Sequence, residues 1–241
     1  MSWEWAVPIR ELIFRAPLPG GYTLERVDED AYWDLHEEEL REHFPPDALF
    51  YRDELLAPAR RQARERALAA EGADRLADHW LVRAPKGALA GMFSCSQRSD
   101  DEFELYHVTM HPDHRGGGLY AELLDRVIAY AQELGFATTV SEHAPSNNAV
   151  LIRHLKAGFR IIAMEIDPAH GPSVRLAYFH EPALLKAYEY RCGLATMDDT
   201  LYAAGFGHFA LLDEQFAQSR ETARTAASTS ASSTPSTPKR T

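Results

Sequence analysis

The chain has 241 residues, 45% hydrophobic and 25% charged, which suits a soluble globular protein of one large domain, or one domain with appendages. Its formal net charge of −11 argues against nucleic acid as the main partner, because a phosphate backbone demands a basic surface. Cys95 and Cys192 show no disulfide or zinc spacing, the start Met1-Ser2-Trp3-Glu4-Trp5 lacks a signal-peptide pattern, and no apolar run reaches the roughly 20 residues that cross a bilayer, so a cytoplasmic protein without membrane contact is expected.

Residues 1–20 read as an aromatic-rich leader with no clear period. Tyr22–Val27 alternates like a strand, and 30–44 reads as a helix stopped by Pro45-Pro46. A second helical region covers roughly 49–70, interrupted at Pro58; its Arg60, Arg61, Arg64 and Arg66 form either a solvated face or a phosphate-contacting patch. Trp80–Arg83 and Leu89–Ser96 form an expected hairpin through Pro85-Lys86-Gly87. There follow a strand over 102–110, a helix over 117–134, a strand over 137–141 and a helix over 147–157. Two more strands, Phe159–Ile166 and Ser173–Phe179, flank the loop Asp167–Pro172, and a helix covers about 181–192. Hairpins combined with one strand–helix–strand crossover imply an α+β fold with a mixed, mostly antiparallel sheet of about six to seven strands flanked by helices. Beyond Gln218 the chain is Ser, Thr, Ala and Pro, a composition that cannot build a core and is expected to be disordered.

The densest signal is Arg115-Gly116-Gly117-Gly118-Leu119-Tyr120, between the strand Glu104–Met110 and a helix whose Leu119, Leu123, Leu124, Val127, Ile128 and Leu134 recur on one face. A strand that turns through glycines into a helix start leaves backbone N–H groups pointing outward, a seat for phosphate or pyrophosphate, with Arg115 adding positive charge. An ordinary glycine-rich loop would look the same. Downstream, Ser146 and Asn147 are candidate N-caps and Gly158 a C-terminal stop for one short helix ending in Gly158-Phe159.

With these two segments in this order, the chain resembles the GCN5-related N-acetyltransferase (GNAT) superfamily over roughly residues 21–180. Arg115 and Gly118 fall on fixed positions of its first motif, Gly116 on its common Arg-Gly opening, and Asn147 and Gly158-Phe159 on the start and end of its second helix. Tyr120 departs from the family's glycine or alanine, and His154 from its tyrosine. The resemblance implies a GNAT-like acyltransferase domain at 21–180, between a leader (1–20), a C-terminal helical extension (181–217) and a tail (218–241). It implies acetyl-CoA as acyl donor, held by Met110, Arg115, Gly116, Gly117, Gly118, Leu119, Tyr120 and Asn147, and a primary amine as acceptor attacking directly in a ternary complex. An acyl-CoA-binding sensor without catalysis is the alternative.

An alkyl ammonium, titrating near ~10.4, must lose its proton before attack. In the resembled family a glutamate at the place of Glu104 often serves as that base; Glu102, two residues away on the same strand face, is the reserve. Ordered water, with Glu104 as a surface carboxylate, is the other reading. The backbone N–H of Met110 holds the family's thioester-oxygen position, and His154 is either the proton donor to the departing thiolate or a helix-surface histidine. Asn147 bonds the pantetheine arm or caps its helix. His107, His111 and His114 invite a metal, but Pro112 and the strand character of 103–110 break any common helical face, so no metal is expected. Cys95 reads as an inert buried thiol rather than a nucleophile. Asp28, Glu29, Asp30, Asp34, Glu37, Glu38 and Glu39 form a solvated face or a field that draws a cationic acceptor. The extra C-terminal segment is a candidate homodimer contact.

Overall fold

The computed structural model describes residues 3–43, 57–60, 62, 75–167, 171–203, 218 and 221. The second helix expected over 49–70, its arginine run, the Pro45-Pro46 stop and the 218–241 tail lie mostly or wholly outside the described residues. Two compact units divide the chain, Met1–His180 and Glu181–Thr241. In the second, α5 (Pro182–Arg191) and the short Asp199–Leu201 helix are described, the latter capped by Asp198.

The first unit is built on one seven-stranded sheet. Its strands are β1 (Thr23–Val27), β2 (Ala77–Arg83), β3 (Leu89–Gln97), β4 (Glu102–Met110), β5 (Thr138–His143), β6 (Arg160–Asp167) and β7 (Gly171–Phe179), in the order β1-β2-β3-β4-β5-β7-β6. Every neighbouring pair is antiparallel except β4 and β5. This is the mixed, mostly antiparallel sheet flanked by helices that the sequence pattern implies.

Period-2 alternation gives the sheet two apolar faces. On one, α1 (Val7–Phe14) and α3 (Leu119–Glu133) cover Trp80, Val82, Phe93, Phe103 and Leu105. Leu119, Leu123, Leu124, Val127 and Ile128 of α3 are buried there, as their helical spacing dictates. On the other face, Tyr32 of α2 (Glu29–Leu35) and Leu40, in a wider helical turn that follows it, pack on Leu81, Leu89 and Met92. Asp28 caps α2 by accepting the Ala31 N–H at 2.8 Å, with Glu29 and Asp30 in its first turn, so part of the acidic run serves the helix start.

The leader is not structureless. Phe14 of α1 sits with its ring centroid 4.7 Å from Trp80 and 5.1 Å from Tyr130, and Arg10 reaches a fully buried carboxylate, Asp78. Asp78 accepts from Arg10 Nε at 3.0 Å, Arg26 Nε at 2.7 Å and the Tyr130 hydroxyl at 2.9 Å. One side chain thereby ties α1, β1, β2 and α3 together. Among the described residues, no helix is long and apolar enough to cross a membrane.

A buried ion pair loses most when one partner is removed, because the other charge stays desolvated. Asp78→Ala strands the buried Arg10 guanidinium and is expected to cost about 3–5 kcal/mol in chemical denaturation. A loss below about 1 kcal/mol would show that Asp78 does not organise the packing.

Candidate active site

The centre of the sheet is a fork. β4 and β5 pair through only Glu102↔Thr138, Phe103↔Thr139 and Glu104↔Val140. Beyond Glu104, β4 stays paired with β3 as far as Met110↔Gly91, and β5 stays paired with β7 as far as His143↔Val174. The inner edges of 105–110 and 141–143 therefore part while the outer edges remain in the sheet. A backbone edge left this way offers amide groups to an extended ligand.

A bulge sets what faces the site. Ser94 pairs with His107 but Cys95 pairs with Leu105, so Tyr106 is an extra residue on β4. Phe103 and Leu105 face the α3 side; after the bulge Val108 and Met110 do so. His107, which strict alternation would also send toward α3, turns to α2 instead, where its Nδ1 lies 2.6 Å from the Tyr32 hydroxyl. Glu102, Glu104 and His107 thus share one face. His107 is kept neutral: burial first, then the nearby His36 and His79, push its pKa down to about 4.

Glu104 stands at the root of the fork. Its carboxylate is held by Arg98 Nη1 at 2.6 Å, and the same nitrogen lies 2.7 Å from Glu142 of β5. Glu102 is held by Arg175 Nη2 at 2.6 Å. Three carboxylates and two guanidinium groups converge here. Burial raises the Glu104 pKa above the usual carboxylate range, opposed by Arg98. A carboxylate of raised basicity in a polar cluster can take a proton from a bound ammonium. The reserve, Glu102, is paired just as closely but is more exposed, 28% against 14% for Glu104.

The glycine turn is open. Gly116 and Gly118 both have φ +82°, a conformation natural only to glycine, and a Cβ built at Gly116, Gly117 or Gly118 would meet nothing within 4 Å. Gly118 is the N-cap of α3 and supplies no side-chain acceptor, so the helix start carries no cap bond. Arg115 Nε donates to the Met110 carbonyl at 2.9 Å, fastening the turn to the end of β4. Gly91 on β3 is there for close approach: an added Cβ would lie 2.5 Å from Met110 Sδ. Leu119 is buried in the α3 core. The Tyr120 ring packs 5.9 Å from His154, and its buried hydroxyl has no hydrogen-bond partner among the described residues.

The second helix, α4 (Asn148–Lys156), narrows the readings of both sequence candidates. Asn147 holds the N-cap position, but its side chain makes no capping bond. His154 is not on the helix surface: it is fully buried, with Nδ1 3.0 Å from the Val150 carbonyl and Nε2 3.0 Å from Ser141 Oγ. Cys95 is fully buried and its thiol pKa is pushed up by desolvation, as an inert thiol requires. His111 accepts from the Asp113 N–H and His114 Nδ1 lies 2.9 Å from the Tyr22 hydroxyl, so both serve the turn after β4. Among the described residues no group of three His, Cys, Asp or Glu side chains is placed to hold a metal. Sequence reasoning does not reach Arg98, Arg175, Glu142, Ser141 and His143; of these, only Glu142, two residues beyond Val140 and so on the same strand face, carries a signal.

Residues 27–159 match the acetyltransferase (GNAT) family. Solved structures that are similar include nourseothricin acetyltransferase, 17% identical with a TM-score of 0.40, the likeness covering 44% of this chain and 66% of that one. Spermidine/spermine N-acetyltransferase SpeG from Vibrio cholerae, in complex with manganese ions, is 14% identical with a TM-score of 0.47, over 69% of this chain and 96% of that one. The IAA acetyltransferase from Bacillus cereus is 17% identical with a TM-score of 0.44, over 66% of this chain and 99% of that one. No curated protein matches the sequence. With the family match running through the glycine turn and both strands of the fork and covering more than half of its length, the chain belongs to the acetyltransferase (GNAT) family.

Proposed function

We propose that the protein transfers an acetyl group from acetyl-CoA to a primary amine by direct attack in a ternary complex. The observation that carries this reading is the fork: two strands that part at Glu104 and Val140 while each remains paired on its outer side. Acetyl-CoA supplies an acetyl group activated as a thioester, on an arm that contains amides. The open inner edge of β4 suits such an arm, and the uncapped start of α3 beside Arg115 suits its pyrophosphate. The chain's residues fit the donor, because the space in front of Gly116–Gly118 is open and no side chain closes the helix start.

The residues then divide the work. The N–H groups of Gly117, Gly118, Leu119 and Tyr120 hold the pyrophosphate, and Arg115 fixes the turn against β4. Met110, last in β4, offers its backbone N–H to the thioester oxygen, where a donor stabilises negative charge as it develops. Glu104 removes the ammonium proton. The carboxylate excess around it favours a cationic acceptor. Holding amine and thioester together contributes much of the rate. Asn147, free of any capping duty, is available to the arm of the donor.

A panel of amines scored by coenzyme A release tests the proposal; turnover with at least one primary amine is expected. Tight acetyl-CoA binding without turnover on any amine would instead establish a sensor. Gly118→Val should weaken acetyl-CoA binding at least tenfold by calorimetry, at some cost in stability from its left-handed backbone. Gly117→Val, free of that strain, separates occlusion from misfolding. Unchanged affinity in both would remove the donor from this turn.

Glu104→Gln should lower kcat by roughly 10²–10⁴-fold while barely changing acetyl-CoA affinity. A base works ionised, so burial's upward push on Glu104 moves the acidic limb of the wild-type profile toward neutrality. The variant's deficit should shrink at high pH, where more amine is already neutral. Turnover within about threefold of wild type at every pH would exclude Glu104 as base.

A further inference from the structure

Three polar side chains beside the fork form a continuous hydrogen-bonded chain. Ser141 Oγ lies 2.7 Å from His143 Nε2 and 3.0 Å from His154 Nε2, and His154 Nδ1 lies 3.0 Å from the Val150 carbonyl. A carbonyl only accepts, so the proton of neutral His154 sits on Nδ1. Its Nε2 is then an acceptor, and the Ser141 hydroxyl donates to it. Ser141 has one hydrogen, so its bond with His143 is one it accepts, from His143 Nε2–H. Neutral His143 is left with a lone pair on Nδ1, for which the described residues supply no donor.

Both rings stay neutral near pH 7. Burial pushes His143 down to about 3, with His154 as the second cause. Burial also lowers His154, assisted by the Arg153 charge and opposed by the Val150 carbonyl. The rings of Tyr120 and Phe159 pack against His154 and bring no charge. Held in this state, His154 has no proton to give outward, which removes it as a direct donor to a thiolate.

The chain has one accessible end. Ser141 and His154 are fully buried, whereas His143 is half-buried and closes β5, past the last residue of β5 that pairs with β4. We infer that Ser141 and His154 lock His143 as a fixed hydrogen-bond acceptor, whose Nδ1 receives an amide N–H of the donor's pantetheine arm. His143 is thus a binding residue, and Ser141 and His154 are positioning residues that act through it. No proton changes hands. The inference rests on acetyl-CoA occupying the fork, as proposed above.

Two measurements on the intact protein test it. Nitrogen-15 imidazole shifts of the ligand-free protein should show His143 protonated on Nε2 alone and without titration between pH 5 and 8. Calorimetry with coenzyme A as probe should show His143→Phe weakened roughly three- to tenfold, about one neutral hydrogen bond. His143→Asn, whose carboxamide oxygen can still accept, should lose less. Ser141→Ala should weaken binding in the same direction, and adding it to His143→Phe should cost nothing further, which a merely structural role would not give. His143 titrating near its ordinary value, protonation on Nδ1, or unchanged affinity in a folded His143→Phe would overturn the inference alone. Failure of the wild-type protein to bind coenzyme A would overturn the donor reading as well.

Discussion

The geometry of the whole site follows from one short ladder. β4 and β5 are the only parallel neighbours among the described strands, and they hold together over three residue pairs. A parallel pair joined by a crossover helix needs packing, not a tight turn, to stay in register. α3 provides it, with Leu123, Leu124 and Val127 buried against the sheet. Past Glu104 the strands are held from outside instead, β4 by β3 and β5 by β7. Gly91 lets β3 approach the end of β4 closely enough to seat the Met110 side chain. The opening is therefore a consequence of where each strand finds its other partner, and it begins at Glu104, the carboxylate we propose for proton removal.

Charge is handled differently at the two ionic clusters of this unit. Asp78 is fully buried with two guanidinium groups and a phenol, so its charge is matched on every side and serves packing. At the fork, Arg98 is shared between Glu104 and Glu142 and remains about a third exposed, leaving the carboxylates in excess and within reach of a ligand. The first arrangement fixes a structure, and the second leaves a basic group usable. The histidines follow the same division: His107, His143 and His154 are all held neutral by burial, so the site's cationic groups are its arginines.

Local patterns carried most of the fold. The strand 102–110 and the α3 face were legible because period 2 and period 3.6 hold over many residues, and the glycine turn because left-handed backbone at Gly116 and Gly118 demands glycine. The leader was opaque: Pro8 and scattered aromatics hide an eight-residue helix whose order comes from Phe14 packing on Trp80 and Arg10 reaching Asp78, partners 66 and 68 residues away. The bulge at Tyr106 was equally hidden, since an extra residue is defined only by the register of the neighbouring strand. It is why His107 was read as one of three spaced histidines rather than as a partner of Tyr32. Asn147 and His154 were placed on the right helix, but capping and burial depend on atoms that sequence spacing does not fix. Arg98 and Arg175 gave no signal, because an ion pair across strands leaves none in a single sequence.

Backbone amide exchange along the inner edge of β4 tests the account most directly. If the parted strands receive the donor's amide arm, saturating acetyl-CoA should slow exchange at the inner-edge amides of 105–110 and at the start of α3, residues 119–121, while leaving β1 and β2 unchanged. Binding that leaves exchange in 105–110 unaltered would mean that the fork is not where the donor lies.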